Sequence, residues 1–468
     1  MRGENTRVHA VVIGASIAGL CAARVLADFY DRVTLFERDE LPSTPVNRAA
    51  VPQGRHLHLL MPRGAAELGA LFPGLLDDMV AAGVPILENR PDCIYFGAAG
   101  HVLGTGRTLR DEFTAYVPSR PQLEWQIRRR VADLANVEIQ QRSVAQPRFD
   151  FDAQRVTGVL LDSTGGSESE FVAAELVVDA AGRGSRLPVW LEQWGYQRPP
   201  EEVVDVGIGY ASHLFRIPEG LIRERVIVAG ASWEQPRGLG MLGYEDGTWV
   251  LTTFGVAKVS PPQSFSEMLV LAEKLLPADF TAALEQAEPI GEVAFHRFPA
   301  SRWRRYDKLD RFPAGIIPFG DAVASFDPTF GQGMTMTSLQ AGQLRGALQA
   351  GGDLAREFNR AAAKNTYPVW VMNAIGDLCF HHAAGPMPWW YRPVGNLFDQ
   401  FLGAAETDPV LAEWFLRRFS LLDSLYMIPT PALVARTIRH NMRLWLAERR
   451  QAWRDRYRAT GRSRSGSR

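Results

Sequence analysis

The chain has 468 residues, 46% of them hydrophobic and 22% charged, which is material for roughly two to four domains and is too apolar for a disordered chain. Lys and Arg total 51 against 52 Asp and Glu, a net charge of −1, which excludes a globally basic nucleic-acid binder and an acidic solvating protein. The balance is uneven: from Pro431 onward eleven arginines face only Glu448 and Asp455, a local +9 that leaves about −10 on the rest.

Cys21, Cys93 and Cys379 lie far apart with no CxxC pair, so they make neither a disulfide framework nor a zinc site. The opening MRGENTRVHAVVIG passes from a short polar lead into an apolar run and a glycine turn, without the h-region and cleavage site of a signal peptide. No eighteen apolar residues run uninterrupted, so no spanning helix is predicted. A soluble cytoplasmic protein is the expectation.

In chain order, Val8 to Ile13 is a β-branched run ended by glycine and reads as a buried strand. Residues 17–30 carry helical spacing and Val33 to Phe36 is a second strand, giving a βαβ opening. Leu176 to Val178 and Ile316 to Phe319 are further apolar strands, each running into a Gly/Asp turn. Between them, residues 203–258 alternate apolar and polar with frequent glycines, the pattern of antiparallel strands. Residues 264–287 and 335–350 read as helices, and from about 355 the pattern is helical, rich in Trp and Phe, and interrupted by prolines. The last seven residues, RSRSGSR, are predicted disordered. The order predicts an α/β fold: a dinucleotide-binding domain, an inserted and mostly antiparallel domain, and a helical C-terminal part.

The first turn, Gly14-Ala15-Ser16-Ile17-Ala18-Gly19, carries the chemistry. Gly14 permits the strand-to-helix turn, Gly19 lets the helix pack on the strand, and the helix N-terminus offers free N–H groups to a pyrophosphate. Ser16 replaces the usual middle glycine; it crowds the approach slightly, but its hydroxyl can donate to a phosphate. Glu37 ends the second strand, where a carboxylate can take ribose hydroxyls. A formally better match, Gly238-Leu239-Gly240-Met241-Leu242-Gly243, leads into another strand. With no helix N-terminus to hold a phosphate, it reads as strand glycines.

Segment Gly315–Met336 adds the choice of dinucleotide. Gly320-Asp321 places a carboxylate at a strand's end, where a polyol chain can be held. Gly331-Gln332-Gly333 then opens a helix whose N-terminus can stabilise negative charge on a reduced flavin. Pro328 and Thr329 would line the ring face.

These segments resemble the flavoprotein monooxygenase superfamily of the aromatic-hydroxylase fold. The carriers are GASIAG with Glu37, LVVDAAGRGSRL with Asp179 and Gly182, GDAVASFDPTFGQGM, and Pro118-Ser119-Arg120-Pro121-Gln122-Leu123-Glu124. VPQGRHLHLL (Val51–Leu60) and the DPTFGQGM wording are similar to bacterial epoxidases that act on linear polyene precursors of polyethers. The resemblance implies a Rossmann-like FAD-binding domain of three-layer ββα architecture made from residues 1–74, 105–187 and 296–350. It also implies a substrate domain from 75–104 and 188–295, and a helical region over 351–468. Gly14, Ser16, Gly19 and Glu37, with Ile17, Ala18 and Arg38 beside them, would hold the adenosine diphosphate. Arg120 and Asp321 would hold the ribityl-pyrophosphate part, and Arg48 or Arg55 could serve the pyrophosphate; spacing does not choose between them. Asp179 and Gly182 would sit between the flavin and nicotinamide approach paths. Pro328, Gly331, Gly333 and Met334 would meet the isoalloxazine edge.

Plainer readings stand beside these. His56 and His58 lack a local third ligand, so a structural role is preferred over a metal pair. His381-His382 beside Cys379 reads as an interhelical polar contact, and Cys21 as a small packed hydrophobe. Arg183 and Arg186 divide between phosphate pairing and a solvated loop. Tyr210, Phe215, Trp233, Trp249 and Phe254 could wall a substrate pocket, though each such aromatic is more often core. In the tail, Ile438, Met442, Trp445, Leu446 and Trp453 fall at helical spacing among Arg439, Arg443, Arg450 and Arg454, a basic amphipathic helix. Packing on the domain with a solvated basic face is the plain reading; contact with an anionic membrane or an acidic partner is the alternative, and no nucleic-acid module accompanies it.

The expected activity is that of an FAD-dependent monooxygenase. By resemblance, O2 adds at flavin C4a and the hydroperoxide passes one oxygen to a lipophilic alkene in secondary metabolism, an epoxidation. Electrons would come from NAD(P)H directly or as reduced flavin from a partner reductase. An aromatic hydroxylase would need a base or hydrogen-bond partner for the phenol. A reductase of isoprenoid double bonds and a non-catalytic flavin protein are the other rivals. A flavin halogenase is disfavoured, because that branch uses a lysine in its N-terminal half and a Trp-x-Trp segment; no lysine precedes Lys258 and no WxW occurs.

Overall fold

The computed structural model describes residues 7–48, 51–88, 93–105, 113–163 and 169–464, the side chains of Pro52, Glu88, Glu448 and 451–464 excepted. Its centre is a five-stranded parallel sheet, ordered Ile316–Pro318, Leu176–Asp179, Arg7–Ile13, Tyr30–Glu37 and Val137–Gln141. Such a sheet needs cover on both faces, and successive side chains divide accordingly. Ala10 and Val12, Val33 and Leu35, and Leu176 and Val178 enter one core with the Ile17–Leu26 and Gly333–Ala350 helices. Val11, Phe36 and Val177 enter a second core with Phe149, Val156, Val159 and Leu161. The latter four sit on an antiparallel sheet of Val144–Asp150, Arg155–Leu161 and Phe171–Ala173. Helices, parallel sheet and antiparallel sheet form three layers.

The helix expected over 17–30 ends at Leu26, because parallel pairing with the first strand already starts at Tyr30 opposite Arg7. Asp28 closes its end on Arg24 (2.8 Å) and Arg345 (2.7 Å). The helix expected over 264–287 is two, Phe265–Leu275 and Ala278–Leu284. Pro277 holds Leu276 in the extended region, as the residue before a proline is held.

An eight-stranded sheet stands beside this unit, with strands Glu201–Arg216, Val226–Ala229, Arg237–Gly243 and Trp249–Gly255 in the region predicted antiparallel. The better-looking glycine motif is one of these strands, Arg237–Gly243. A 17-residue strand, Glu288–Arg304, pairs along Glu201–Arg216. The C-terminal part follows as helices Leu354–Asp377, Tyr391–Ala405, Pro409–Phe419 and Pro431–Arg464. Phe401, Leu402, Leu411 and Phe415 from the middle two close over Phe96, Leu242 and Val250 of the sheet.

Candidate active site

The phosphate turn is built as its glycines require. Gly14 has φ +99°, and a Cβ there would lie 2.9 Å from the Ala180 carbonyl oxygen. A Cβ on Gly19 would lie 1.8 Å from the Gly14 carbonyl oxygen, so Gly19 serves helix–strand packing and does not line the site. Glu37 Oε2 accepts from Ala15 N at 2.9 Å. The carboxylate at the end of the second strand therefore also braces the turn. Ser16 occupies the N-cap of the Ile17–Leu26 helix, whose first turn carries no acid. Its hydroxyl donates to Glu124 Oε2 (3.3 Å) and accepts from Arg120 Nη2 (3.1 Å).

Arg120 begins the Arg120–Ala132 helix, capped by Ser119 Oγ accepting from Gln122 N. Arg48 reaches the same place from a loop and pairs with Glu124 (2.7 Å), Glu37 (3.5 Å) and Asp39 (3.5 Å). Arg55 is exposed and lies off the cavity. Of the two arginines that spacing left open, Arg48 lines the cavity and Arg55 does not. Arg38 is exposed at the cavity rim. Glu124 was quoted only as part of a motif, yet it is the acid that holds both buried arginines.

A continuous cavity of about 2080 Å³ runs from this turn to the far helix, past Ile17, Ala18, Asp321, Pro328, Gly331, Gly333 and Met334. It exceeds the roughly 300–1,000 Å³ of a single-ligand pocket. Asp321 opens onto it, and the surrounding protein pushes its carboxyl upward against the pull of Arg183, Arg120 and Arg304. Gly331, at φ +67°, precedes the N-terminus of the Gly333–Ala350 helix, which presents unpaired N–H groups.

Asp179 departs from expectation. It is fully buried and outside the cavity, accepting from Ala181 N (3.0 Å) and Ser185 Oγ (2.6 Å). Burial pushes its carboxyl up. Its place is beneath the turn that puts Gly182 and Arg183 on the cavity wall. Arg183 stacks over Phe298, while Arg186 turns to Trp190.

Of the five aromatics, Tyr210, Phe254 and Trp233 line the cavity. Phe215 and Trp249 do not; their faces of the sheet pack with Met241, Leu251 and Met268 under the Phe265–Leu275 helix. His381, His382 and Cys379 are exposed beyond the Leu354–Asp377 helix. Cys379 Sγ donates to Gly376 O, and His381 faces the cavity.

His56 and His58 also line the cavity, and no metal-binding group of three ligands occurs among the described residues. His56 Nδ1 bonds Ser212 Oγ at 2.7 Å, and His58 Nδ1 bonds the His56 carbonyl oxygen at 2.8 Å. Burial lowers their pKa values to about 4 and about 3, so both are neutral at pH 7. An unfolded histidine takes a proton near pH 6.5, so the stability held by the neutral forms is present above that pH and lost as pH falls toward the folded values. The thermal midpoint of His58→Gln should therefore fall less than the native one between pH 7 and pH 5, and equal slopes would refute the assignment.

Comparison with known proteins adds the family. Protein Rv3254 of Mycobacterium tuberculosis is 73% identical over 460 residues, spanning 96% of this chain and 97% of that one. The chain belongs to the Rv3254 family. The model of the Mycobacterium Rv3254 C-terminal domain matches residues 385–451, which hold the two helices that close over the eight-stranded sheet and most of the helix that follows them. Kynurenine 3-monooxygenase of Salinispora arenicola is 27% identical over 367 residues, covering 70% of the chain and 69% of that protein. Among solved structures, the p-nitrophenol 4-monooxygenase PnpA from Pseudomonas putida superposes with a TM-score of 0.62 at 18% identity, over 90% of this chain and 99% of that one. The fold is that of the FAD-dependent monooxygenases.

The residues fit FAD. A tight strand-to-helix turn made possible by Gly14 at φ +99°, a helix N-terminus free of acids, and two buried arginines suit a pyrophosphate. The second helix N-terminus at Gly333 suits a flavin edge.

Proposed function

We propose that the chain is an FAD-dependent monooxygenase that places one oxygen atom from O2 into a lipophilic substrate, epoxidising a C=C bond. The observation that carries this reading is the single cavity joining the Gly14 phosphate turn to the Gly333 helix N-terminus and continuing to Tyr210 and Phe254. Bound FAD supplies two-electron redox chemistry and the activation of O2. The chain's own contributions are electrostatic and geometric. Arg48, Arg120 and the Ile17–Leu26 N-terminus hold the diphosphate, Asp321 the polyol, and the Gly333 N-terminus negative charge on the ring. Phe254, Phe298 and Val256 line the cavity and exclude water from the reacting end. Hydroxylation of a phenol is a second reading, favoured by Tyr210, Asp327 and Asp377 in the cavity wall, groups able to hold a phenolic proton.

The purified protein should be yellow and, supplied with NAD(P)H alone or with a flavin reductase, should transfer label from 18O2 into polyene or phenol test substrates. Label in the polyene supports epoxidation and label in the phenol supports hydroxylation. Anaerobic turnover without label would leave a double-bond reductase.

The substrate's lipophilicity gives the C-terminal helix a role. Its Thr437, His440 and Asn441 face packs on the preceding helices: Thr407 and His440 share a 2.6 Å hydrogen bond, and Asn441 Nδ2 donates to Gln400 O at 3.2 Å. Arg436 pairs with Asp408. Ile438, Met442, Trp445 and Leu446 stand about a third of a turn away and remain 43–58% exposed. The helix is packed on the domain with its basic residues solvated, as the plain reading has it, and the residues that pack are polar ones outside the apolar stripe. The side chains of Trp453 and Arg454 lie outside the described residues. No described helix is long and apolar enough to cross a membrane. An exposed apolar stripe flanked by Arg439, Arg443 and Arg450 suits the surface of an anionic bilayer, the occupant assigned to it.

A further inference from the structure

Two carboxyl groups meet in the cavity wall: Asp327, which opens the DPTFGQGM segment, and Asp377, which lies in no motif. Asp377 ends the Leu354–Asp377 helix and Asp327 caps the Pro328–Phe330 turn; both are 2% exposed and within hydrogen-bond reach of each other. Asp327 Oδ1 also accepts from Thr329 N and Thr329 Oγ1, each at 2.7 Å. Asp377 Oδ2 meets no N–H or O–H of another residue, so its contact with Asp327 needs a proton between the two carboxyls. The Thr329 donors favour charge on Asp327. Burial raises both carboxyls, and the neighbouring Asp327 raises Asp377 further, whereas the Thr329 donors pull Asp327 down.

Tyr210 supplies an independent observation. It is 7% exposed, its hydroxyl has no partner, and it lines the same cavity. Burial, and after it the two carboxyls, push its hydroxyl pKa upward, while Arg183 pulls the other way. Its histidine neighbours are His56, which burial keeps neutral, and His296, its cross-strand partner, whose pKa burial and Arg183 also lower. Phe254, Phe298, Ile375 and Phe380 make the surrounding wall apolar. A buried donor without an acceptor is costly unless a ligand completes it.

We propose that Asp327, Asp377 and Tyr210 form a subsite for a neutral hydroxyl group on the lipophilic substrate. Tyr210 donates to the substrate oxygen, and the substrate hydroxyl donates to Asp327. Asp377 holds the proton that keeps the pair at one negative charge. A methyl ether cannot donate to Asp327, and a carboxylate would bring a second negative charge against it in a water-poor site. The inference rests on the monooxygenase reading only in calling the ligand a substrate.

The test is calorimetric titration of the FAD-loaded protein at pH 7 with 2-naphthol, 2-methoxynaphthalene, 2-naphthoate and naphthalene. The naphthol should bind at least about ten-fold tighter than either analogue, the scale of one buried hydrogen bond. Asp377→Asn, whose amide still donates to Asp327, should keep the preference. Asp327→Asn should lose it and admit the naphthoate. Tyr210→Phe should weaken naphthol and ether alike while leaving naphthalene unchanged. A native protein that does not prefer naphthol, or an Asp327→Asn variant with native melting that keeps the preference, overturns the subsite. Flavin content measured on the same samples separates that result from a failure to bind FAD, which would overturn the monooxygenase reading instead.

Discussion

Glutamate at position 16 should leave the protein folded and colourless. Ser16 is the N-cap of the Ile17–Leu26 helix and is only partly buried. A carboxylate there meets the helix dipole and Arg120, which in the absence of ligand offset the repulsion of Glu124, 3.3 Å from the Ser16 hydroxyl. The diphosphate would then approach a fixed negative charge at about 5 Å. At an effective dielectric of about 20 the repulsion is about 3 kcal/mol, roughly two orders of magnitude in affinity. The arginine pair cannot offset this, since Arg120 would be drawn to the new carboxylate. Flavin absorbance after dialysis against free FAD reads the effect, and circular dichroism and melting report the fold. A yellow Ser16→Glu protein of native affinity would remove the phosphate turn from the cofactor site.

The turn could be read in advance because its chemistry is local. Gly14, Ser16, Gly19 and Glu37 lie on contiguous elements, and strand, glycine, helix and acid follow one another within a single pairing unit. Pro328, Gly331 and Gly333 were legible for the same reason. Asp377 was not: it is an ordinary helix-terminal aspartate until the 354–377 helix brings it against Asp327, fifty positions earlier in the chain. Glu124 likewise gains meaning only when Arg48 and Arg120 converge on it. Phe215 and Trp249 show the converse error. Alternation revealed a strand with two faces, but not which face would meet the cavity and which the Phe265–Leu275 helix. The polar, partly exposed Val144–Asp150 and Phe171–Ala173 strands gave little apolar signal, although they complete the third layer.

Binding to anionic vesicles should fall by about a hundred-fold or more when Arg439 and Arg443 become Glu and Trp445 becomes Ser together. Each arginine near a phosphatidylserine surface contributes about 1 kcal/mol, and charge reversal replaces that attraction with repulsion of similar size. Trp445 is about half exposed, so its insertion adds about 1 kcal/mol. The altered positions avoid Thr437, His440 and Asn441, so the helix should stay docked and FAD retained. The native protein should cosediment with phosphatidylserine vesicles, less so at high salt, and weakly with phosphatidylcholine alone. No binding by the native protein to either would exclude the bilayer, and retention only by an acidic polypeptide column would assign the stripe to a protein partner.

The alternation of Val11 and Val12 between two cores also governs where the chain can change length. One residue added within Arg7–Ile13 would turn every later side chain of that strand to the opposite layer. It would carry Gly14 away from the Ala180 carbonyl against which it is fitted. Two added residues would restore the faces but push the phosphate turn past the ends of its neighbours. The exposed turn at 219–221 carries no such constraint. Insertions and deletions among relatives should collect in turns of that kind, while the segment leading into Gly14 varies in side-chain volume but keeps its count.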